Sequence, residues 1–304
     1  MSRFAILNEI RRLDPRADHQ RIVFLSTCYE FPFDTTRSLE FALFRTFAVP
    51  AIGGLLDRTG QFQHQAQKRY DDTDILVSEL MEWGYDSDRG CRAVERINEI
   101  HGRFKIANED FQYVLSTFIY EPIRWNQRFG WRQMCEQERL AMFHSWREVG
   151  RRMNIQDLPD DYEVFERFNV LYEREHYRYT KANHRVGVAT RELFVGWFPR
   201  VSSPLVRSAM HALMDEPILE AFGFPRPLLI ARWCVHAGMR AQTNVQSIRV
   251  ILRPDPARAE GPPRLGRIWG KPIVFENVPL ERHDLGKRRS DEAMKRRSDE
   301  AMKR

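Results

Sequence analysis

Three residues in the first third of the chain have types and spacing that could do chemistry together: Arg69, Thr73 and His101. Arg69 and Thr73 are four positions apart, so on a helix they share a face. A guanidinium and a hydroxyl held side by side can donate hydrogen bonds to an oxygen species or a carboxylate of a bound ligand. The alternative is a solvated arginine beside Asp72 and Asp74, which contributes little. His101 belongs to a second run, in which Val94, Ile97, His101 and Phe104 fall on one stripe of a 3.6-residue helix. The imidazole therefore sits where a core residue is expected. Two roles fit it: a buried histidine bonded to a carbonyl or hydroxyl, or a neutral axial ligand to a metal, as in haem proteins. Spacing alone leaves both open.

Other constellations carry less. Glu173-x-x-His176 has the spacing of half a di-iron site, but ferritin-like sites need two such motifs and two further glutamates. No second copy occurs, and a solvated charged helix face explains Tyr172–Lys181 as well. No Gly-rich dinucleotide loop, phosphate loop, HExxH or GxSxG motif is present.

The elements that must position these residues read as helices throughout. Thr35–Phe47 repeats Leu39, Leu43 and Phe47 every four residues, and Val49-Pro50 interrupts it. Gly53-Gly54 lies in the next apolar run, and marks either a close approach of a flat ligand or a helix–helix crossing. Gln61–Trp83 is expected to be the helix of Arg69 and Thr73, ended by Gly84, and Arg89–Phe104 that of His101. Asn108 with Glu109-Asp110 supplies cap and first-turn chemistry for Asn108–Phe129, which Pro122 is expected to bend or end. Glu136–Met153, Tyr162–Tyr179, Arg191–Phe198, Pro204–Met214 and Glu216–Phe222 complete the helical set. Arg21–Tyr29, β-branched and aromatic, reads equally as an extended segment or a helix start. The fold class is all-α: one multi-helix domain over residues 1–253, then a low-complexity tail over 254–304. The tail repeats KRRSDEAM in tandem and reads as disordered or weakly helical.

Composition narrows the function classes. With 42% hydrophobic residues, twenty Phe and seven Trp, the chain can build a bulky core or an apolar cavity. The formal charge is +6, but Pro254–Arg304 holds 13 Lys and Arg against 9 Asp and Glu. Only +2 is left for the 253 residues of the body, which argues against a nucleic-acid-binding surface. Cys28, Cys91, Cys135 and Cys234 are scattered and read as reduced thiols. Met1–Arg12 lacks the apolar core of a signal peptide, and no window approaches the roughly 18 apolar residues of a membrane span. The expectation is a cytoplasmic protein with at most peripheral membrane contact.

The order of these elements is similar to that of a known family. Arg69-x-x-x-Thr73, then His101 a helix-turn-helix later, then Asn108–Phe118 and Glu138–Gly150, resembles the MpaB-type oxygenases. These include the latex-clearing rubber oxygenases and the endoplasmic-reticulum-bound oxygenase of mycophenolic acid synthesis. Leu213-Met214-Asp215-Glu216-Pro217 through Phe222-Gly223-Phe224 resembles the family's closing motif, so the likeness runs from Leu39 to Pro227. It implies a globin-like helical domain with a haem b pocket, His101 as proximal iron ligand, and Arg69 and Thr73 as the polar residues of the working face. It also implies an oxidoreductase that uses O2 to oxidise or cleave an apolar, isoprenoid or otherwise unsaturated small molecule. Three positions depart from the rubber oxygenases: Asp72 replaces a lysine, Val49-Pro50 replaces His-Pro, and Gly53–Asp57 holds no clear match to their upstream carboxylate. The expected substrate is accordingly a different, smaller one. The rival readings are a non-catalytic haem- or lipid-binding helical protein and a non-haem di-iron oxygenase.

Overall fold

The computed structural model describes residues 4–251, with side chains placed through Thr243. In chain order the helices are α1 (Ala5–Ile10), α2 (His19–Phe24), α3 (Pro32–Thr46), α4 (Pro50–Thr59), α5 (Gln61–His64), α6 (Ala66–Trp83) and α7 (Asp88–His101). They continue with α8 (Asn108–Phe129), α9 (Glu136–Arg152), α10 (Tyr162–His176), α11 (Lys181–Val195), α12 (Ser203–Leu213), α13 (Glu216–Phe222) and α14 (Leu229–Ile251). No strand occurs among the described residues, so the all-α class holds. The expected boundary at residue 253 and the character of 254–304 lie outside the described residues.

The fold is built on α3 packed against α8. Pro32 at the first turn of α3 supplies a preset φ, and Asp34 in the same turn suits the positive end of the helix. Trp125 Nε1 on α8 donates to Asp34 Oδ1 at 3.2 Å and ties the two helices. Burial nevertheless lifts the Asp34 carboxyl to about 7. Pro122 neither ends α8 nor stops it short of Phe129. Its lost hydrogen bond and ring clash cost about 3 kcal/mol. Ile123, Trp125 and Phe129 lie beyond it and are each at most 3% exposed. At roughly 1.5–3 kcal/mol for each buried large side chain, their packing outweighs that cost.

Arg45 on α3 is the polar centre of the interior. It reaches Glu173 on α10 through Nε–Oε1 and Nη2–Oε2, at 3.1 and 2.5 Å, and Asp215 at the N-terminus of α13 at 2.8 Å. Glu121 on α8 lies 3.6 Å from its Nε. One guanidinium thereby fastens four helices to one another.

The remaining boundaries differ from the sequence reading for local reasons. Arg21–Tyr29 is helical: α2 runs into a π-helical stretch, Leu25–Glu30, in which every residue is buried. Packing of α2 against α9 outweighs the extended preference of its β-branched and aromatic residues. The expected Gln61–Trp83 helix is broken at Gln65, whose φ of −143° is non-helical, giving α5 and α6. Asp161, with its side chain accepting from Val164 N at 2.8 Å, caps α10, which starts at Tyr162 as expected but ends at His176, three residues early. α11 begins ten residues before the expected Arg191, and α14 is a 23-residue helix that the pattern did not announce.

Candidate active site

The hairpin of α6 and α7 brings the three chemical residues together. Gly84 ends α6 with φ +79°, a conformation that favours glycine. Ser87 caps α7, its side chain accepting from Gly90 N at 2.9 Å. A Cβ on Gly90 would lie 2.8 Å from the Gly84 carbonyl carbon, so the turn closes only with glycine there. Arg89 and Glu79 pair across it. Folding the chain back about this turn sets the start of α6, with Arg69 and Thr73, against the end of α7, with His101.

Arg69 and Thr73 line an apolar cleft enclosing about 770 Å³ of atom-free space, its mouth included. α3 contributes Leu39, Leu43, Phe44 and Phe47 to its wall, α5 Phe62, α8 Phe118, and α11 Leu193 and Phe194. The Arg69 guanidinium donates to Thr73 Oγ1, and that hydroxyl donates to the Arg69 carbonyl oxygen at 3.1 Å. The guanidinium also lies over the Phe62 ring, 5.9 Å from its centre. Among the described residues no carboxylate forms an ion pair with it. Burial lowers its pKa, against the opposing pull of Asp72, which is itself paired with Lys68 at 2.6 Å. The charge reversal expected from Asp72 is therefore partly taken up by Lys68 on the same helix.

His101 lies outside the lining of this cleft, against the Phe111 ring at 5.3 Å. Its Nδ1 is buried without a hydrogen-bond partner. Burial, with the Arg69 charge second, pushes the imidazole down to about 4, so it is neutral at physiological pH. Of the two roles left open by the spacing, the hydrogen-bonded one finds no partner for Nδ1 among the described residues. Arg69 links the two parts of the site: it lines the cleft, and its field reaches the imidazole.

Two carboxyls complete the cleft that the sequence reading passed over. Glu40 on α3 pairs with Arg37 at 2.7 Å and accepts from the Tyr70 hydroxyl. Burial raises it to about 7, with Arg37 and Tyr70 opposing and Asp74 assisting. Asp74, beside Thr73, is raised to about 6, again by burial first. Arg37 and Glu40 stand three apart and look like a surface pair. The usable signal was a charged residue inside the stripe formed by Thr36, Leu43 and Phe47.

The remaining sequence candidates are structural. Glu173 is committed to Arg45, and His176 stacks on Tyr172 at 4.0 Å with Nδ1 bonded to the Tyr172 carbonyl at 3.0 Å. Among the described residues no three His, Cys, Asp or Glu side chains converge as a metal-binding set. The geometry thus speaks against a di-iron centre. Gly53 is a helix crossing: a Cβ there would meet the Asn183 side chain on α11 and lie 2.6 Å from the Phe47 carbonyl. All four cysteines are free thiols, as expected.

Comparison with known proteins follows the same residues. The family model described as "ER-bound oxygenase mpaB/B'/Rubber oxygenase, catalytic domain" matches residues 41–244. ER-bound oxygenase mpaB of Penicillium brevicompactum is 36% identical over 132 residues, covering 41% of this chain and 34% of the relative. Its mpaB' counterpart from the same organism is equally similar, with 31% of its length covered. ER-bound oxygenase mpaB of Penicillium roqueforti is also 36% identical, over 41% of this chain and 44% of its own length. The matched region thus spans less than half of each of these relatives.

Proposed function

This chain belongs to the catalytic-domain family of the ER-bound mpaB/B' and rubber oxygenases, and on that premise we propose that it is a haem b-dependent oxygenase. In this reading an apolar, unsaturated small molecule, isoprenoid in character, meets O2 in the cleft beside Arg69. One observation carries the reading: a guanidinium without a carboxylate partner, held by Thr73 at an aromatic-walled cleft, next to a neutral imidazole with an orphaned buried nitrogen.

One feature of the chain supports the cofactor. His101 offers a neutral nitrogen with no protein partner, which suits an iron donor. Haem b, when bound, supplies the oxygen chemistry, and the protein supplies orientation and polarity. Arg69 and Thr73 present a fixed cation and hydroxyl to developing negative charge on an oxygen atom, with their mutual hydrogen bonds already formed. Glu40, poised at about 7, can accept or return a proton near neutral pH while Tyr70 holds its carboxyl in place. The phenylalanines of α3, α5 and α11 exclude water and take an apolar chain.

The second reading, a haem or lipid carrier without turnover, is favoured by the cleft's predominantly apolar wall. Oxygen uptake separates them. Purified chain with added haem should consume O2 with a polyene substrate, and Arg69→Ala should abolish that uptake without abolishing haem binding. Haem binding with no uptake in the wild type would leave the carrier. We place the chain in the cytoplasm; among the described residues no single helix is long and apolar enough to cross a membrane. The relatives' names as ER-bound are compatible with a chain that touches a membrane from that side.

A further inference from the structure

α14 is amphipathic the wrong way round for a helix on a water-facing surface. Four of its polar residues fasten it to carbonyl groups of the body. Arg232 Nη2 donates to the Met214 carbonyl at 3.3 Å, His236 Nε2 to that of Ala212 at 3.3 Å, and Arg240 Nε to that of Arg128 at 2.9 Å. Thr243 Oγ1 donates to the Phe129 carbonyl at 2.5 Å. Met239 packs inward on the core, while the apolar residues at the start of the helix point away. Leu229, Ile230 and Trp233, with Leu228 just before them, are between 70% and 84% exposed. Cys234 and Ala237 extend the same outward stripe. A Cβ built on Gly238 meets nothing within 4 Å, so the stripe is uncovered there too. On α12, which packs against α14, Leu205 is 72% exposed, and Val201 just before that helix is 90% exposed. Soluble surfaces scatter such side chains singly, and a contiguous group of this kind marks an interaction site.

Charge identifies the partner. Leu229–Ile251 contains three arginines and no Asp or Glu. From Leu229 to the chain end there are 17 Lys and Arg against 9 Asp and Glu, a balance of +8. Met1–Leu228 holds 31 against 33, a balance of −2. The whole positive charge of the protein therefore begins at the helix that turns its apolar face outward. An apolar stripe bearing a tryptophan, joined to basic sequence, has the composition of an element that lies in the interface of a membrane. A protein partner would have no need of the charge excess, whereas acidic headgroups attract it.

We propose that the outward face of α14, with Leu228, Leu229, Ile230 and Trp233 as its apolar anchors, docks on an anionic phospholipid bilayer. The proposal rests on this surface alone and is independent of the chemistry assigned to the cleft. The test is co-flotation of the full chain with phosphatidylcholine vesicles, with and without phosphatidylserine, for wild type and for the L229S/I230S/W233S variant. These side chains are exposed, so the variant should keep its helical circular dichroism and its haem-binding behaviour. Flotation with phosphatidylserine vesicles that falls roughly tenfold or more in the variant, and that weakens in high salt, is the expected result. No flotation of the wild type, or equal flotation of the variant, overturns the proposal. So does a self-associated wild type that the variant turns monomeric with no loss of lipid binding, since that assigns the face to a second copy.

Discussion

Arg69 and Thr73 hold each other: the guanidinium donates to Thr73 Oγ1, and the hydroxyl in turn donates to the Arg69 carbonyl oxygen at 3.1 Å. The arginine is thereby aimed without a carboxylate, which leaves its charge available to the cleft. Thr73→Val keeps the shape of the side chain and removes the acceptor. It should cost about 1–3 kcal/mol of stability, because a buried N–H is left unpaired. Turnover should fall about tenfold or more, with little change in substrate KM, since a loosened cation acts on the transition state rather than on binding. Urea unfolding and oxygen-uptake kinetics on the same preparation check both numbers.

His101 governs acid stability in the haem-free protein. Its folded-state pKa is about 4 against an ordinary 6.5, so the unfolded chain takes up the proton first as pH falls. The contribution is complete above 6.5 and is lost between 6.5 and 4, up to roughly 3 kcal/mol. Thermal melts of wild type should therefore drop more steeply across this window than those of His101→Leu. Parallel curves for the two would refute the assignment of the depressed imidazole.

Glu40 acts with the opposite sign. Its carboxyl is raised from 4.5 to about 7, so the folded state favours the protonated form. That stability is present below 4.5 and is lost as pH rises through 7. Glu40→Gln should gain stability relative to wild type over this range, by up to roughly 3 kcal/mol. If the carboxyl also handles a proton in turnover, the wild-type rate should show a limb near pH 7 that the glutamine variant lacks.

How far these residues could be read from the sequence depends on how local their partners are. The α6–α7 hairpin was legible, because Gly84, the Arg69–Thr73 spacing and the His101 stripe are all short-range patterns. Glu40 and Asp74 were not. They share the cleft wall with residues of α3, α6 and α11, and no window of sequence contains all three helices. α14 escaped notice for a different reason: its first apolar residues are exposed while Arg232 and Arg240 bond to carbonyls of the body, which scrambles the usual pattern. Pro122 does not end α8 because its penalty is local, while the burial that overrides it comes from the whole of α8 packing on α3.

Arg45 gives a prediction about the scaffold. It is 5% exposed and faces Glu121, Glu173 and Asp215. Arg45→Met should destabilise by about 3–5 kcal/mol at neutral pH, because the carboxylates are left buried without a counter-charge. Arg45→Lys should recover only part of this, since an ammonium cannot reproduce the paired bonds to both Glu173 oxygens. Chemical denaturation of the three proteins measures the series.

The central claim is that His101 holds the iron of a haem. The most direct measurement is the visible absorption spectrum of the purified full chain after addition of haem and removal of the excess, for wild type and His101→Ala. The account predicts a stoichiometric Soret band in the wild type that is lost or shifted in the variant. No Soret band in the wild type, or an identical one in His101→Ala, would contradict it.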